Sequence, residues 1–306
     1  MMRQFALTIL LFSSWVCASP KPLVVGITLH PYYSYVANVV GDKATILPLL
    51  DAGFNPHSYQ AQAQDLQRLK QMDAIVLNGI GHDYFAEHVI AAAADPNLKV
   101  IYANQDVALL PAMGSAVGEG AINPHTFVGI STTIQKVYTI ANELGALDPS
   151  NAETYRQNAR NYARVLRAHK RKASEALSDI DTSNVKIATT HNAYSYLLQE
   201  FGVEVDTVIE PAHGVEPSAS QLQDTIDRIK AAGINVLFYE LDMPNRFVET
   251  IERSTGIKLY QFSHLTHGPY EANKVEIEMA ENLATLVQAL RFAAGAPAQL
   301  PPQSTP

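Results

Sequence analysis

Ten histidines against a single cysteine define the chemistry open to this chain. Two of them end the same tripeptide, Asn55-Pro56-His57 and Asn123-Pro124-His125, each behind a glycine-containing loop and each on a turn stiffened by proline. A third, His191, stands in the other half of the chain. Alone, either turn histidine reads as an ordinary side chain facing water. The repeated tripeptide together with His191 points instead to metal ligation. Three neutral imidazoles bonding at about 2.0–2.1 Å would suit Zn2+, with a fourth position left for another donor. One cysteine leaves no disulfide within the chain and no cysteine-based zinc or iron–sulfur site. The chain has no His-Glu-x-x-His run and no Gly-x-Ser-x-Gly elbow.

The elements that must present these histidines follow from length and patterning. The chain has 306 residues, 47% of them hydrophobic and 17% charged, enough apolar surface for about two globular domains. A net charge of -8 argues against a nucleic-acid partner. Short β-branched runs at 23–29, 44–50, 74–77 and 99–102 alternate with helical spacing at 32–40, 65–70 and 84–94. That alternation predicts a parallel sheet flanked by helices. From Ser150 to Ile180 no glycine or proline interrupts an apolar stripe at spacings of three, four and seven, which predicts one long spar helix behind a cap at Asp148-Pro149. Strands at 185–189 and 236–239, with helices at 193–200, 221–231, 246–254 and 272–292, then repeat the α/β pattern. The two halves echo each other: His30-Pro-Tyr-Tyr-Ser-Tyr follows the first strand of one, His191-Asn-Ala-Tyr-Ser-Tyr that of the other. Ligands of open parallel sheets bind at the carboxyl ends of strands, so two such lobes would share a cleft.

Five ordered segments carry a resemblance to a known family: Leu49-Leu-Asp-Ala-Gly-Phe-Asn-Pro-His-Ser-Tyr59, Val76-Leu-Asn-Gly-Ile-Gly81, Asn123-Pro-His-Thr-Phe127, Thr190-His-Asn-Ala-Tyr-Ser-Tyr196 and Glu216-Pro-Ser-Ala-Ser220. Over residues 22–293 the chain resembles the zinc- and manganese-binding periplasmic proteins that serve ABC importers. The resemblance implies an α/β fold: two Rossmann-like lobes joined by one long rigid helix, with the metal in the interlobe cleft. It implies ligand roles for His57, His125 and His191, and histidine at 191 resembles the zinc branch where the manganese branch tends to carry glutamate. The fourth donor departs from the pattern. The family usually offers an aspartate where this chain has Gln261-Phe-Ser-His-Leu-Thr-His-Gly268. His264 is the favoured fourth ligand, with His267, Glu240 or a water as alternatives. Asp83 and Glu240 could balance the charge of an all-histidine site. His30 could line the cleft or pack under Tyr32–Tyr35; His82 reads as a rim histidine, and His169 as part of the spar's packing stripe. A long His-rich loop before the second ligand is absent.

The expected organisation is a cleaved signal peptide over 1–18, an N-terminal lobe over 19–147, a connecting helix over 148–180, a C-terminal lobe over 181–295 and a disordered tail over 296–306. Arg3 followed by an apolar run too short to span a bilayer marks the leader. Cys17 lies in a poor lipobox, so lipidation is not the expectation. The expected function is that of a non-enzymatic periplasmic carrier, monomeric, that captures Zn2+ (alternatively Mn2+) and hands it to an ABC importer permease. A periplasmic metallohydrolase with Glu240 as general base is the rival from another class.

Overall fold

The computed structural model describes residues 21–54, 59–113, 120–209, 218–240 and 245–296. The expected leader with Cys17, His57, His213 and the tail beyond 296 lie outside the described residues.

Strands β1 (Leu23–Ile27), β2 (Ala44–Pro48), β3 (Ala74–Leu77) and β4 (Lys99–Tyr102) form a parallel sheet in the order β2-β1-β3-β4. Helices α1 (His30–Val40), α2 (Ala63–Leu69) and α3 (Tyr84–Ala93) make the crossovers. A helical hairpin follows, α4 (Ile130–Leu147) and α5 (Ala152–Leu177), closed by a turn in which the Asp148 carboxylate accepts from Ser150, Asn151 and the Tyr155 hydroxyl. The C-terminal sheet repeats the topology: β5 (Ile187–Thr189), β6 (Val205–Val208), β7 (Val236–Glu240) and β8 (Lys258–Phe262), all parallel, in the order β6-β5-β7-β8. Its helices are α6 (Ser195–Gln199), α7 (Ala219–Ala232) and α8 (Asn245–Thr255), and α9 (Lys274–Ala293) follows β8.

The spar is shorter than its sequence suggests. It starts at Ala152, because Asp148 ends α4 by donating its backbone N–H to Leu144 instead of opening α5. At 26 residues α5 spans about 39 Å. Three elements go beyond the sequence reading, α4, β6 and β8. Helix α4 hides its apolar stripe (Ile130, Ile134, Val137, Ile140, Leu144) among threonines and serine, whose weak helix propensity is overridden by packing on α5.

Packing explains why the two sheets act as one body. Each sheet has an outer face closed by its own small core: Leu49, Leu69, Ile75, Leu77 and Phe85 in the first lobe, Ile226, Ile229, Leu237, Phe247 and Ile251 in the second. The inner faces share a single core. It runs without interruption from Val25, Ile27 and Tyr35 through Tyr155, Tyr162 and Leu166 of α5 to Phe238, Phe262 and Leu286. The long helix therefore links the lobes through buried side chains rather than as a solvated rod.

Candidate metal centre

Three of the sequence-predicted histidines meet where the strands of the second lobe end and the loop before α4 begins. His125, His191 and His264 each offer a ring nitrogen, and these atoms lie within 4.8 Å of one another. Their ring centroids are 4.4 Å (125–191), 5.0 Å (125–264) and 5.2 Å (191–264) apart. All three are buried, at 4%, 6% and 5% exposure. Among the described residues no other group of His, Cys, Asp and Glu converges in this way.

Each ring is positioned by a different device. His125 ends the Asn-Pro-His turn and precedes a 3-10 turn, Thr126–Val128. The fully buried Asn123 accepts both the backbone N–H of His125 (3.0 Å) and its ring Nδ1–H (2.8 Å), then donates its own amide to Asn192 in the other lobe (3.3 Å). Tyr196 of α6 donates its hydroxyl to the Asn123 carbonyl at 2.8 Å, tying the same turn to the second lobe again. His191 follows β5, and its Nδ1 sits 2.5 Å from the carboxylate of Glu240, which ends the neighbouring strand β7. A carboxylate and an amide oxygen can only accept. Both histidines therefore present Nδ1–H to an acceptor, and a neutral imidazole held this way coordinates a cation through Nε2, the arrangement that metal-binding imidazoles need. His264 follows β8. Asn282 on α9 clamps the preceding residue, accepting from Ser263 N (2.7 Å) and donating to Ser263 O (2.8 Å), while Phe127 packs its ring 5.6 Å from that of His264.

The remaining candidates sort by contact. Glu240 places its carboxylate against Nδ1 of His191 and so orients that ring. His267 is exposed, with Nδ1 3.3 Å from the Thr266 hydroxyl. Asp83 faces the backbone, accepting from Asn78 N, Gly79 N and the Thr28 hydroxyl; burial raises its carboxyl to about 6. His30 does not pack under Tyr32–Tyr35. It stacks on Tyr270 of the other lobe at 4.4 Å and reaches the Gly268 carbonyl with Nε2 at 2.9 Å, and burial holds its pKa below the usual histidine range. His169 is half-buried on α5, 3.6 Å from Glu276 of α9. His82 packs its ring against His125 and Phe127. The sequence reading missed Asn123 as a positioning group, although the asparagine repeated in both Asn-Pro-His tripeptides was its signal.

A bilobed α/β fold carrying imidazoles at the lobe junction defines a cation-binding protein of the solute-receptor type, and the comparisons with known proteins agree. Residues 25–289 match the family described as zinc-uptake complex component A, periplasmic (ZnuA). The chain belongs to this family, whose members are substrate-binding components of metal ABC importers. Among curated relatives, the zinc-binding lipoprotein AdcA of Streptococcus pneumoniae serotype 4 is 26% identical over 274 residues, 85% of this chain and 54% of AdcA. The chain thus spans about half of AdcA's length. The metal ABC transporter substrate-binding lipoprotein ScbA of Streptococcus cristatus is 25% identical over 228 residues, 73% of each chain. Among solved structures, the SBP FpvC of Pseudomonas aeruginosa in complex with Ni2+ is 51% identical, with a TM-score of 0.81 over 92% of this chain and 100% of that one. FpvC in complex with Mn2+ is 52% identical, TM-score 0.80, over 89% and 99%.

Proposed function

We propose that this chain is a periplasmic zinc carrier that captures Zn2+ between its lobes and delivers it to the transmembrane permease of an ABC importer, working as a monomer and not as an enzyme. The observation that carries the reading is the convergence of His125, His191 and His264 from both sides of the lobe junction, two of them with Nδ1 already engaged by an acceptor. These three are the proposed ligands, and His57, expected from its Asn-Pro-His tripeptide, is the fourth. Imidazole donors favour zinc over manganese, which prefers carboxylate oxygens. The Glu240 carboxylate beside His191 offsets part of the cation's charge. FpvC's complexes with Ni2+ and Mn2+ make those two ions the natural competitors. The leader over 1–18 would be removed on export, leaving the lobes of 19–147 and 181–295 around the 148–180 connection.

Release has to be conformational, because a buried imidazole site holds zinc too tightly for spontaneous dissociation to serve transport. The segment Ser263–Gly268 is the lever we assign to it. It carries His264 and meets the first lobe at two places, through His30 at the Gly268 carbonyl and through the rings of His125 and Phe127 beside His264.

Native mass spectrometry of the purified chain tests the reading, with competition among Zn2+, Mn2+, Co2+ and Ni2+. One Zn2+ per chain that resists displacement by excess Mn2+ is the expected result. His191→Ala and His264→Ala should each weaken zinc binding by at least roughly tenfold. Wild-type affinity in His191→Ala would end the cross-lobe site, and in His264→Ala would take that residue out of the ligand set.

A further inference from the structure

The family resemblance leaves His82 without a role, and the structure supplies a reason to give it one. Its imidazole stands edge-to-face against that of His125, centroids 4.3 Å apart, and His125 stands edge-to-face against His191 at 4.4 Å. The three rings form a row that runs inward. His82 is partly exposed, whereas His125 and His191 are 4% and 6% exposed. His82 lies outside the trio whose ring nitrogens converge within 4.8 Å, so it is adjacent to the site without completing it.

The backbone holds this ring in place at a cost. His82 has φ 68°, in the left-handed region that side chains other than glycine enter rarely, and it follows Gly81 at φ 118°. The turn is secured on both sides. The Asp83 carboxylate captures the N–H groups of Asn78 and Gly79, and the Asn78 amide donates to both the Gly81 and the Pro124 carbonyls at 3.0 Å. One buried asparagine thus fixes the turn bearing His82 and the turn bearing His125 relative to each other. Glycine or asparagine would occupy a left-handed position more cheaply. A strained imidazole kept beside a metal-binding imidazole is the kind of outlier from which function is inferred.

We propose that His82 is a transfer ligand: it takes the hydrated cation at the rim together with His125 and passes it to the buried trio, and on release it takes the ion back. This rests on the zinc-carrier reading above. A divalent ion arriving from solvent must exchange its waters for nitrogens one at a time; among the described residues the converging imidazoles of His125, His191 and His264 are almost fully buried, whereas the adjoining His82 is partly exposed and stands where the first exchange can occur. Zinc can add a fifth ligand before losing one, so an imidazole at the rim lets each water leave against a nitrogen already in place. The His82 imidazole lowers the barrier in both directions and leaves the end state unchanged.

His82→Gly and His82→Asn both accept the left-handed backbone, so they remove the imidazole without straining the turn. Stopped-flow mixing of Zn2+ with the apo chain, and of the zinc-loaded chain with excess EDTA, measures the two rates; a competing fluorescent chelator measures Kd. The expected result is that both rates fall by roughly tenfold, a barrier increase of about 1.4 kcal/mol, while Kd stays within about threefold and the melting temperature does not fall. Unchanged rates in both variants would overturn the proposal. So would a Kd raised tenfold with an unchanged association rate, which is the signature of a permanent ligand. A wild-type chain that binds no stoichiometric Zn2+ would instead remove the carrier reading itself, and is distinguished by the wild-type titration alone.

Discussion

The tautomers of two histidines decide what the site can hold, and each is set by one acceptor. Glu240→Gln replaces a carboxylate by an amide that can turn either its oxygen or its nitrogen toward His191 Nδ1, so the ring loses its firm orientation and the cation loses a balancing charge. Zinc affinity measured by chelator competition should fall by roughly 10–100-fold, while the fold survives. His30 gives a separate, pH-dependent expectation. Burial lowers its folded pKa, so acidification favours the unfolded chain. Its contribution to stability is complete above the ordinary histidine pKa of about 6.5 and is lost as pH falls through the lowered folded value. His30→Phe keeps a ring against Tyr270 and removes the titration. In apo protein, the difference in melting temperature between wild type and this variant should therefore shift in the variant's favour from pH 7.5 to pH 5.5; a constant difference would contradict it.

At the scale of elements, the strands and α5 do different work. The carboxyl ends of β5, β7 and β8 deliver His191, Glu240 and His264 side by side because the three strands are neighbours in one parallel sheet. Their register aligns Glu240 with Phe262, two residues before His264. Helix α5 contributes none of the converging ligands. It buries Tyr155, Ala159, Tyr162, Ala163 and Leu166 in the shared core. Leu166→Ala should cost about 2–5 kcal/mol of stability in chemical denaturation. Zinc stoichiometry should remain one per chain, because that loss falls on the core and on no residue that orients a histidine.

For the whole molecule, the continuous core sets how far the lobes can move. Opening a hinge between them would expose Tyr155, Leu166, Phe238 and Phe262 to water, and burial of side chains of this size is worth about 1.5–3 kcal/mol each. The expected motion on loading is a small shift of lobes and loops. Small-angle scattering profiles of the metal-free and zinc-loaded chain should nearly superimpose; a large decrease in radius of gyration on loading would show a hinge closure that this core does not allow. No helix among the described residues is long and apolar enough to cross a membrane, so the described lobes carry no helical span.

The amino-acid sequence alone determined the α/β alternation, the long helix and two of the histidines that converge, His125 and His191, because periodicity, proline-stiffened turns and donor chemistry are local properties. The family resemblance marked His264 as the favoured fourth donor, with His267 and Glu240 left as alternatives. What surrounds each of the three belongs to tertiary structure. Glu240 and His264 end neighbouring strands that are 22 residues apart at their β7 and β8 starts, and only their pairing turns the carboxylate onto His191 and leaves His267 in solvent. The same holds for Asn123 and His82. Each is a polar residue in a turn until two loops far apart in the chain are packed together, and the contacts that orient an imidazole exist only after that packing.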